Sequence, residues 1–233
     1  MPELTPVEWE ALNLSLRVAF WNVVFSLPLA ILVAWVLARF EFPGKMLLNA
    51  LVLLPLVMPP VVTGYILLLS LGTKGPIGAW LQSTFGIVVA FRWTGAVIAA
   101  AVMGFPLLVR AIRLSMEAVD RKLEASAATL GANRVWVFFT VTLPLILPGI
   151  IAGTILSFAK GMGEFGATIT FVSNIPGETR TLPIAIYTFL QVPGGEESAI
   201  RLTIIAVAVS IAALVISELL ARRATRRVHG LDA

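Results

Sequence analysis

The 233-residue chain has no cysteine and a single histidine. Without cysteine there is no disulfide framework, no thiol nucleophile and no cysteine metal site. His229 sits in a charged tail, which removes most histidine-based catalysis. Charge is scarce as well. Charged residues make up 13% of the chain, against about 25% in a soluble domain. Hydrophobic residues make up 58% and the mean hydropathy is +0.95. A surface this poor in polar groups cannot be covered in water. The composition excludes an ordinary soluble enzyme, a disordered chain and a coiled coil, and leaves a protein whose solvent is lipid. There is no Gly-x-x-x-x-Gly-Lys-Ser/Thr run, and Gly72-Thr73-Lys74-Gly75 lacks the spacing, so the chain is expected to bind no ATP. Ser26, Ser70 and Ser157 have no base nearby in sequence, which argues against a membrane hydrolase.

What is present is a series of long apolar runs. A span needs about 20 apolar residues to cross the hydrocarbon. Five stretches qualify, at about 12–37, 46–72, 87–109, 143–162 and 199–221. The predicted fold is therefore all-α and integral to the membrane. It has a short external N-terminus (1–11), a long polar segment (110–142) and a basic tail (222–233). The stretch 169–190 is interrupted by Asn174, Pro176, Gly177, Glu178, Arg180 and Pro183. It reads as an external loop with a short dipping helix, because a sixth span there would put Gly-Glu-Thr-Arg into hydrocarbon.

Charge sets the orientation. With the N-terminus outside, the inner segments hold Arg39, Lys45, Arg110, Arg113, Arg121, Lys122, Arg134, Arg222, Arg223, Arg226 and Arg227, eleven of the 17 basic residues. The outer side keeps Arg17, Lys74, Arg92, Lys160, Arg180 and Arg201. An excess of Lys and Arg marks the cytoplasmic side, so the reading is N-out and C-in. The chain starts with Glu3, Glu8 and Glu10 and no basic residue, which argues against a cleaved signal peptide and for a retained first helix.

The longest segment on the basic side carries the clearest local pattern. Asp120 is a good N-cap and Gly131 a good residue just past a helix end. Leu123, Ala127 and Leu130 recur between them at helical spacing, which predicts a short amphipathic helix outside the bilayer. The small residues Ala125, Ser126, Ala127 and Ala128 would let another protein approach the backbone. From pattern alone, a helix merely lying on the membrane surface is as good a reading.

Gly131 is followed by nine residues and then Val141-Thr142-Leu143-Pro144. This resembles the E-A-A-x3-G-x9-I-x-L-P loop of the permease subunits of binding-protein-dependent ABC importers. The resemblance extends over about residues 10–220. The second half matches in spacing, with Val141 for Ile. In the first half Ala125 stands where the pattern has Glu, and Ser126 and Ala127 stand where it has two alanines. The acid, Glu124, comes one position early. In that family the loop is a coupling helix that docks into a cleft of an ATPase subunit. The resemblance therefore implies a type I importer permease fold and a coupling role for Asp120, Leu123, Glu124, Ala125, Ser126, Ala127, Leu130, Gly131, Leu143 and Pro144. It also implies a homodimer, two ABC ATPase subunits on the cytoplasmic face and a periplasmic binding protein on the outer face. ATP and Mg would be used by the ATPase alone. The remaining partner is membrane lipid, and no nucleic acid is expected.

Two further runs look like the molybdate permeases of that family. One is Leu54-Pro-Leu-Val-Met-Pro-Pro-Val-Val-Thr-Gly64-Tyr65. The other begins at Gly163-Glu-Phe-Gly and continues to Phe171-Val-Ser-Asn-Ile-Pro-Gly-Glu-Thr-Arg180, with Gln191-Val-Pro-Gly-Gly195 further on. Sulfate permeases share part of this frame, so sulfate or tungstate is the alternative cargo. Hydroxyls of Thr168, Thr170 and Ser173 and the backbone around Gly163 and Gly166 would supply donors to a tetrahedral oxyanion. Lys160 lies about 25 Å up its helix, near the outer interface, and an ionisable residue there is a functional candidate. Pairing with Glu164 at i+4 is the simpler reading. Pro55, Pro59 and Pro60 must kink or break the second span beside Gly64, as a gate or pivot on the pathway. Gly149 and Gly153 read as ordinary close helix packing.

Overall fold

The computed structural model describes residues 4–228, with side chains as far as Arg223. The tail from His229 onward lies outside the described residues, as do the side chains of Arg226 and Arg227. Among the described residues the chain is all-helical. Four helical runs are long and apolar enough to cross a membrane: Pro6–Arg39, Trp93–Ala118, Arg134–Met162 and Glu196–Arg223.

Helix α1 (Pro6–Arg39) starts on a capping box. The Glu8 amide donates to Thr5 Oγ1 (3.4 Å), and the Thr5 amide donates back to Glu8 Oε2 (2.7 Å). Most of its buried stripe is small, at Ala11, Ser15, Ala19, Ser26, Ala30, Ala34 and Ala38, with Val18 and Leu37 the larger apolar members. Small residues let neighbouring backbones come close, which is how helices attract in lipid. The polar interruption Asn22 is satisfied inside the bundle, donating to Ser157 O (3.1 Å) and accepting from Ser26 Oγ (3.4 Å).

Helices α2 (Lys45–Val57) and α3 (Pro60–Leu71) make up the second apolar run, and their axes meet at 113°. The cause is local. Met58 and Pro59 both precede a proline, which disfavours helical backbone, and their ψ angles are 144° and 132°. Pro59 and Pro60 also lack an N–H to continue the ladder. If this bent pair counts as one span, the total is five. A short helix that the apolar pattern left unread, α4 (Pro76–Phe85), follows.

Helix α5 (Trp93–Ala118) is the centre of the bundle and packs between α1 and the later helix α8. It is displaced from the predicted 87–109. Phe91 has a positive φ of 59° and Arg92 is extended, so the helix cannot start before Trp93. Arg17 lies 3.7 Å over the Trp93 ring, and Glu178 accepts from the Trp93 amide (3.3 Å), which fixes this start. Arg110 and Arg113, expected in the polar segment, are consequently helical.

Helix α6 (Arg121–Thr129) and α7 (Arg134–Val137) come next. One π-helical turn, Phe138–Thr142, then leads into α8 (Leu143–Met162). Gly149 lies against Ser115 and Ala111 of α5, and Gly153 against Leu108.

The interrupted stretch is not a candidate span and does carry short helices, as expected, but it is packed onto the bundle instead of lying outside it. It forms α9 (Gly166–Val172) and α10 (Leu182–Leu190), and Phe171, Val172, Leu182, Ile184 and Ala185 are buried. Its polar residues bond among themselves. Arg180 Nε donates to Asn174 Oδ1 (2.8 Å), Asn174 Nδ2 to Thr188 Oγ1 (2.9 Å), and Thr179 Oγ1 to Ser173 O (3.1 Å). Satisfied in this way, they can fold back onto the bundle.

The last helix, α11 (Glu196–Val228), is buried only near its start, at Ala199 and Leu202. There Arg201 Nη2 meets Glu8 Oε1 of α1 at 2.8 Å, and the Glu8 side chain is fully buried.

Candidate coupling face and translocation elements

Helix α6 is built by its ends. Asp120 Oδ1 accepts from the Lys122 amide (2.9 Å). At the other end Gly131 has φ +89°, its amide reaches Ala128 O (3.0 Å), and the Ala132 amide reaches Ala127 O (3.3 Å). This is a Schellman motif, which needs a left-handed residue and so favours glycine. The helix proper ends at Thr129, and Leu130 is its cap.

The predicted stripe does not all face one way. No residue of α6 is buried, and Leu123 and Leu130 are exposed, Leu130 to 89%. Glu124 and Ala127 are the two that turn partly inward. The exposed leucines and the small residues Ala125, Ser126 and Ala128 make an open face on the end of the molecule. Leu143 is half-buried among Phe138 and Ile146, and Pro144 is exposed.

Glu124 is held by the chain itself. Its Oε1 accepts from Arg39 Nη2 (2.7 Å), at the last residue of α1, and from Thr142 Oγ1 (2.7 Å), at the root of α8. One carboxylate therefore clamps α6 to two spanning helices. The pairing of Glu124 with Arg39 and Thr142 was not read from sequence, since 85 and 18 positions separate them. Arg39 Nε is buried and has no acceptor among the described residues. Losing Glu124 would leave the guanidinium with no carboxylate. We expect Glu124→Ala to cost about 1.5–3 kcal/mol, the range for hydrogen bonds to charged groups. Adding Arg39→Met should recover part of that loss. A double-mutant cycle on thermal unfolding in detergent checks this, and strictly additive losses would refute the clamp.

The other basic groups predicted to face inward share this end. Arg113 Nη1 donates to Asn49 Oδ1 (2.8 Å), and Arg121 Nη2 reaches Ala38 O (3.4 Å). The Lys45 ammonium, 2.6 Å from Glu41, holds that carboxyl below its usual range, with Arg113 and Arg121 adding to the effect.

At the opposite end, Lys160 Nζ lies 2.7 Å from Glu164 Oε2. Glu164 is almost completely buried, and its Oε1 accepts from the Ala167 amide (3.0 Å) at the start of α9. Lys160 is thus the counter-ion of a buried helix cap. Gly64 of α3 packs on α9 beside Ala167 and Thr170, and Gly166 packs beside Pro60. Thr63 Oγ1 is buried in α3 and has no partner among the described residues.

The expected anion donors lie in different surroundings. Thr168 is buried, 1% exposed. Thr170 Oγ1 is turned back to Gly166 O (2.8 Å). Gly163 and Ser173 are exposed, and Ser173 has φ +65°. The structure thus brings Pro60, Gly64, Gly166 and Thr170 into one seam and Lys160 and Glu164 into another. Pro59 lies exposed at the bend. Pro55 stands apart, in an apolar groove of about 470 Å³ with Phe25, Leu29 and Phe105.

Comparison with known proteins adds to this geometry. The profile of the family described as binding-protein-dependent transport system inner membrane component matches residues 26–227. The chain is 62% identical over 224 residues to the molybdenum transport system permease protein ModB of Escherichia coli (strain K12), covering 96% of this chain and 98% of that protein. It is 37% identical over 181 residues to the sulfate transport system permease protein CysT of the same organism, covering 78% and 65%. A crystal structure of a bacterial alginate ABC transporter, in complex with an alginate pentasaccharide-bound periplasmic protein, contains a chain of the same fold. The TM-score is 0.72 at 19% identity, covering 96% of this chain and 80% of that one.

Proposed function

Because the chain belongs to the family of inner membrane components of binding-protein-dependent transport systems, we propose that it is the permease subunit through which an ATP-driven importer moves molybdate into the cell. It is a multi-pass protein of the inner membrane. The observation that carries the cargo is the 62% identity to a molybdenum permease along the whole chain, against 37% over a shorter stretch to a sulfate permease.

Two copies line the path. In one copy the α2–α3 elbow presents Val57, Val61 and Tyr65 to the outside of the bundle. A second copy related by a two-fold axis would cover such a surface with its own equivalent. The end carrying α6 is cytoplasmic, in keeping with its basic residues. ATP and Mg belong to two separate ATPase subunits that meet α6. A periplasmic molybdate-binding protein meets the opposite end. ATPase closure favours one state of the dimer and the loaded binding protein favours the same state, so transport follows their cycle. Through Glu124, a displacement of α6 pulls on both the end of α1 and the root of α8. The Pro59–Pro60 break lets α3 travel with α9 while α2 stays.

The test is uptake of labelled molybdate by cells that express this chain with its ATPase and binding protein. Unlabelled molybdate and tungstate should compete, and a large excess of sulfate should not. Uptake displaced by sulfate and indifferent to molybdate would assign the cargo to sulfate.

A further inference from the structure

A cavity of about 300 Å³ opens beside the Glu124 clamp, among Arg39, Arg121, Arg134, Ala128 and Phe138. That is the lower end of the size range of small-ligand sites, about 300–1,000 Å³. Three guanidinium groups face one carboxylate, Glu124. Arg39 is spent on Glu124, yet its Nε is buried without an acceptor among the described residues, and its side chain is only 10% exposed. Arg121 has one long contact, to Ala38 O (3.4 Å). Arg134 is exposed, and its guanidinium has no hydrogen-bond or ion-pair partner among the described residues. The nearby acids are engaged: Glu41 pairs with Lys45 and Asp120 caps α6. The cavity therefore carries an uncompensated positive charge.

A second hollow, about 280 Å³ and almost wholly apolar, runs up α1 from the first. It is lined by Pro28, Ile31, Leu32 and Val135, and it shares Trp35, Arg134 and Phe138 with the basic cavity. From Trp35 to Pro28 the helix rises about 10 Å. Trp35 packs edge-on against Phe40, and Trp136 and Phe139, chain neighbours of the cavity residues Val137 and Phe138, are exposed. Aromatic residues of this kind mark the membrane–water interface. The basic cavity thus sits at headgroup height, and the apolar groove descends from it into hydrocarbon.

We propose that this pair of cavities binds an anionic glycerophospholipid of the inner leaflet. The phosphate lies between Arg134 and Arg121, with Arg39 Nε behind it, and one acyl chain lies along Ile31, Leu32 and Val135. Basic pockets on the cytoplasmic side of membrane helices recognise headgroups in this way. An acidic segment of the ATPase would meet the same arginines, but it would leave the apolar groove unexplained, because a soluble subunit does not reach down α1 into hydrocarbon. A lipid held here touches α1, α6 and α7 at once and so braces the clamp that carries the coupling movement.

The experiment is native mass spectrometry of the complete permease–ATPase complex after equilibration in micelles containing phosphatidylglycerol and phosphatidylcholine. The wild type should retain phosphatidylglycerol in preference to phosphatidylcholine. Each arginine near the membrane surface contributes about fivefold in lipid affinity. Arg134→Gln should lower the preference about fivefold, and Arg121→Gln with Arg134→Gln roughly 25-fold. Arg134 has no partner to lose in the chain, so the single variant remains informative if the double one fails to assemble. Leu32→Trp, which fills the groove and spares the arginines, should also reduce retention. Retention unchanged in Arg134→Gln and Leu32→Trp would overturn the proposal. So would displacement of the lipid by glycerol phosphate at the concentration of phosphatidylglycerol, which would make this a free-anion site. Lipid held by the isolated permease but expelled in the complete complex would assign the cavity to the ATPase and overturn it equally. Lipid retention is read without transport, so failure here is distinct from a wrong cargo.

Discussion

Gly131→Pro should abolish molybdate uptake while leaving the protein in the membrane. The Schellman turn at the end of α6 needs φ near +89° at this position, and proline fixes φ near −65°. The substitution also deletes the amide that donates to Ala128 O. It pushes Leu130, which now has bridge-region backbone (φ −80°, ψ 7°), towards the extended region. The last turn of α6 comes apart and its exposed face is lost. No residue of α6 is buried, so the spanning helices keep their packing. A graded series separates backbone from bulk. No atom lies within 4 Å of a side chain added here. Gly131→Ala therefore meets only the left-handed penalty, about 1–2 kcal/mol, and Gly131→Asn less. Uptake, membrane content and co-purification of the ATPase are the three measurements. Uptake at the wild-type rate by Gly131→Pro, with the ATPase still bound, would sink the coupling role of this helix.

The second large effect is expected at Gly64. A Cβ built there would lie 2.5 Å from Ala167 O, and 2.9 Å from both Ala167 Cα and Thr170 Cβ. Two of these are backbone atoms of α9, which cannot rotate aside as a side chain would. Even alanine must separate α3 from α9. Leucine adds a full side chain to a filled seam, a change that costs about 1–3 kcal/mol or more in a packed core. The buried Thr63 hydroxyl lies one residue away, so water would reach the opened seam. Gly64→Leu should therefore stop uptake and lower the thermal midpoint, and Gly64→Ala should do both more mildly. The combination is diagnostic, because loss of uptake with an unchanged midpoint would mean that Gly64 serves the path directly and not the fit of α3 on α9.

Much of this architecture was legible because lipid imposes few solutions. Apolar runs of sufficient length had to become helices, and Pro59–Pro60 had to interrupt one. Asp120 and Gly131 delimited α6 to within a residue, since capping depends on near neighbours alone. Lys160 and Glu164 could be paired from their i,i+4 spacing. Other features depended on residues far apart in the chain. The start of α5 is set by Arg17 and Glu178, from α1 and the α9–α10 connection, so the apolar run began too early by hydropathy. The stretch 169–190 read as an external loop with a short dipping helix because its polar residues had no visible partners; Asn174, Thr179 and Arg180 find theirs only in the folded turn. Thr168 illustrates the same limit on a smaller scale. On a seven-residue helix, periodicity does not say which side faces the bundle. Glu124 was noticed for being one position out of register, but nothing near it named Arg39 as its partner.

The contact between Glu8 and Arg201 joins groups 193 positions apart. During synthesis the first helix is complete long before the ribosome reaches Arg201. Throughout that interval the carboxylate that ends up fully buried has no cation to meet. The bond that closes the first helix onto the last is therefore among the final ones to form. A nascent chain halted before α11 has only the Thr5 cap on a carboxylate that the finished protein buries against Arg201, and that unpaired charge is a chemical signature of incomplete assembly.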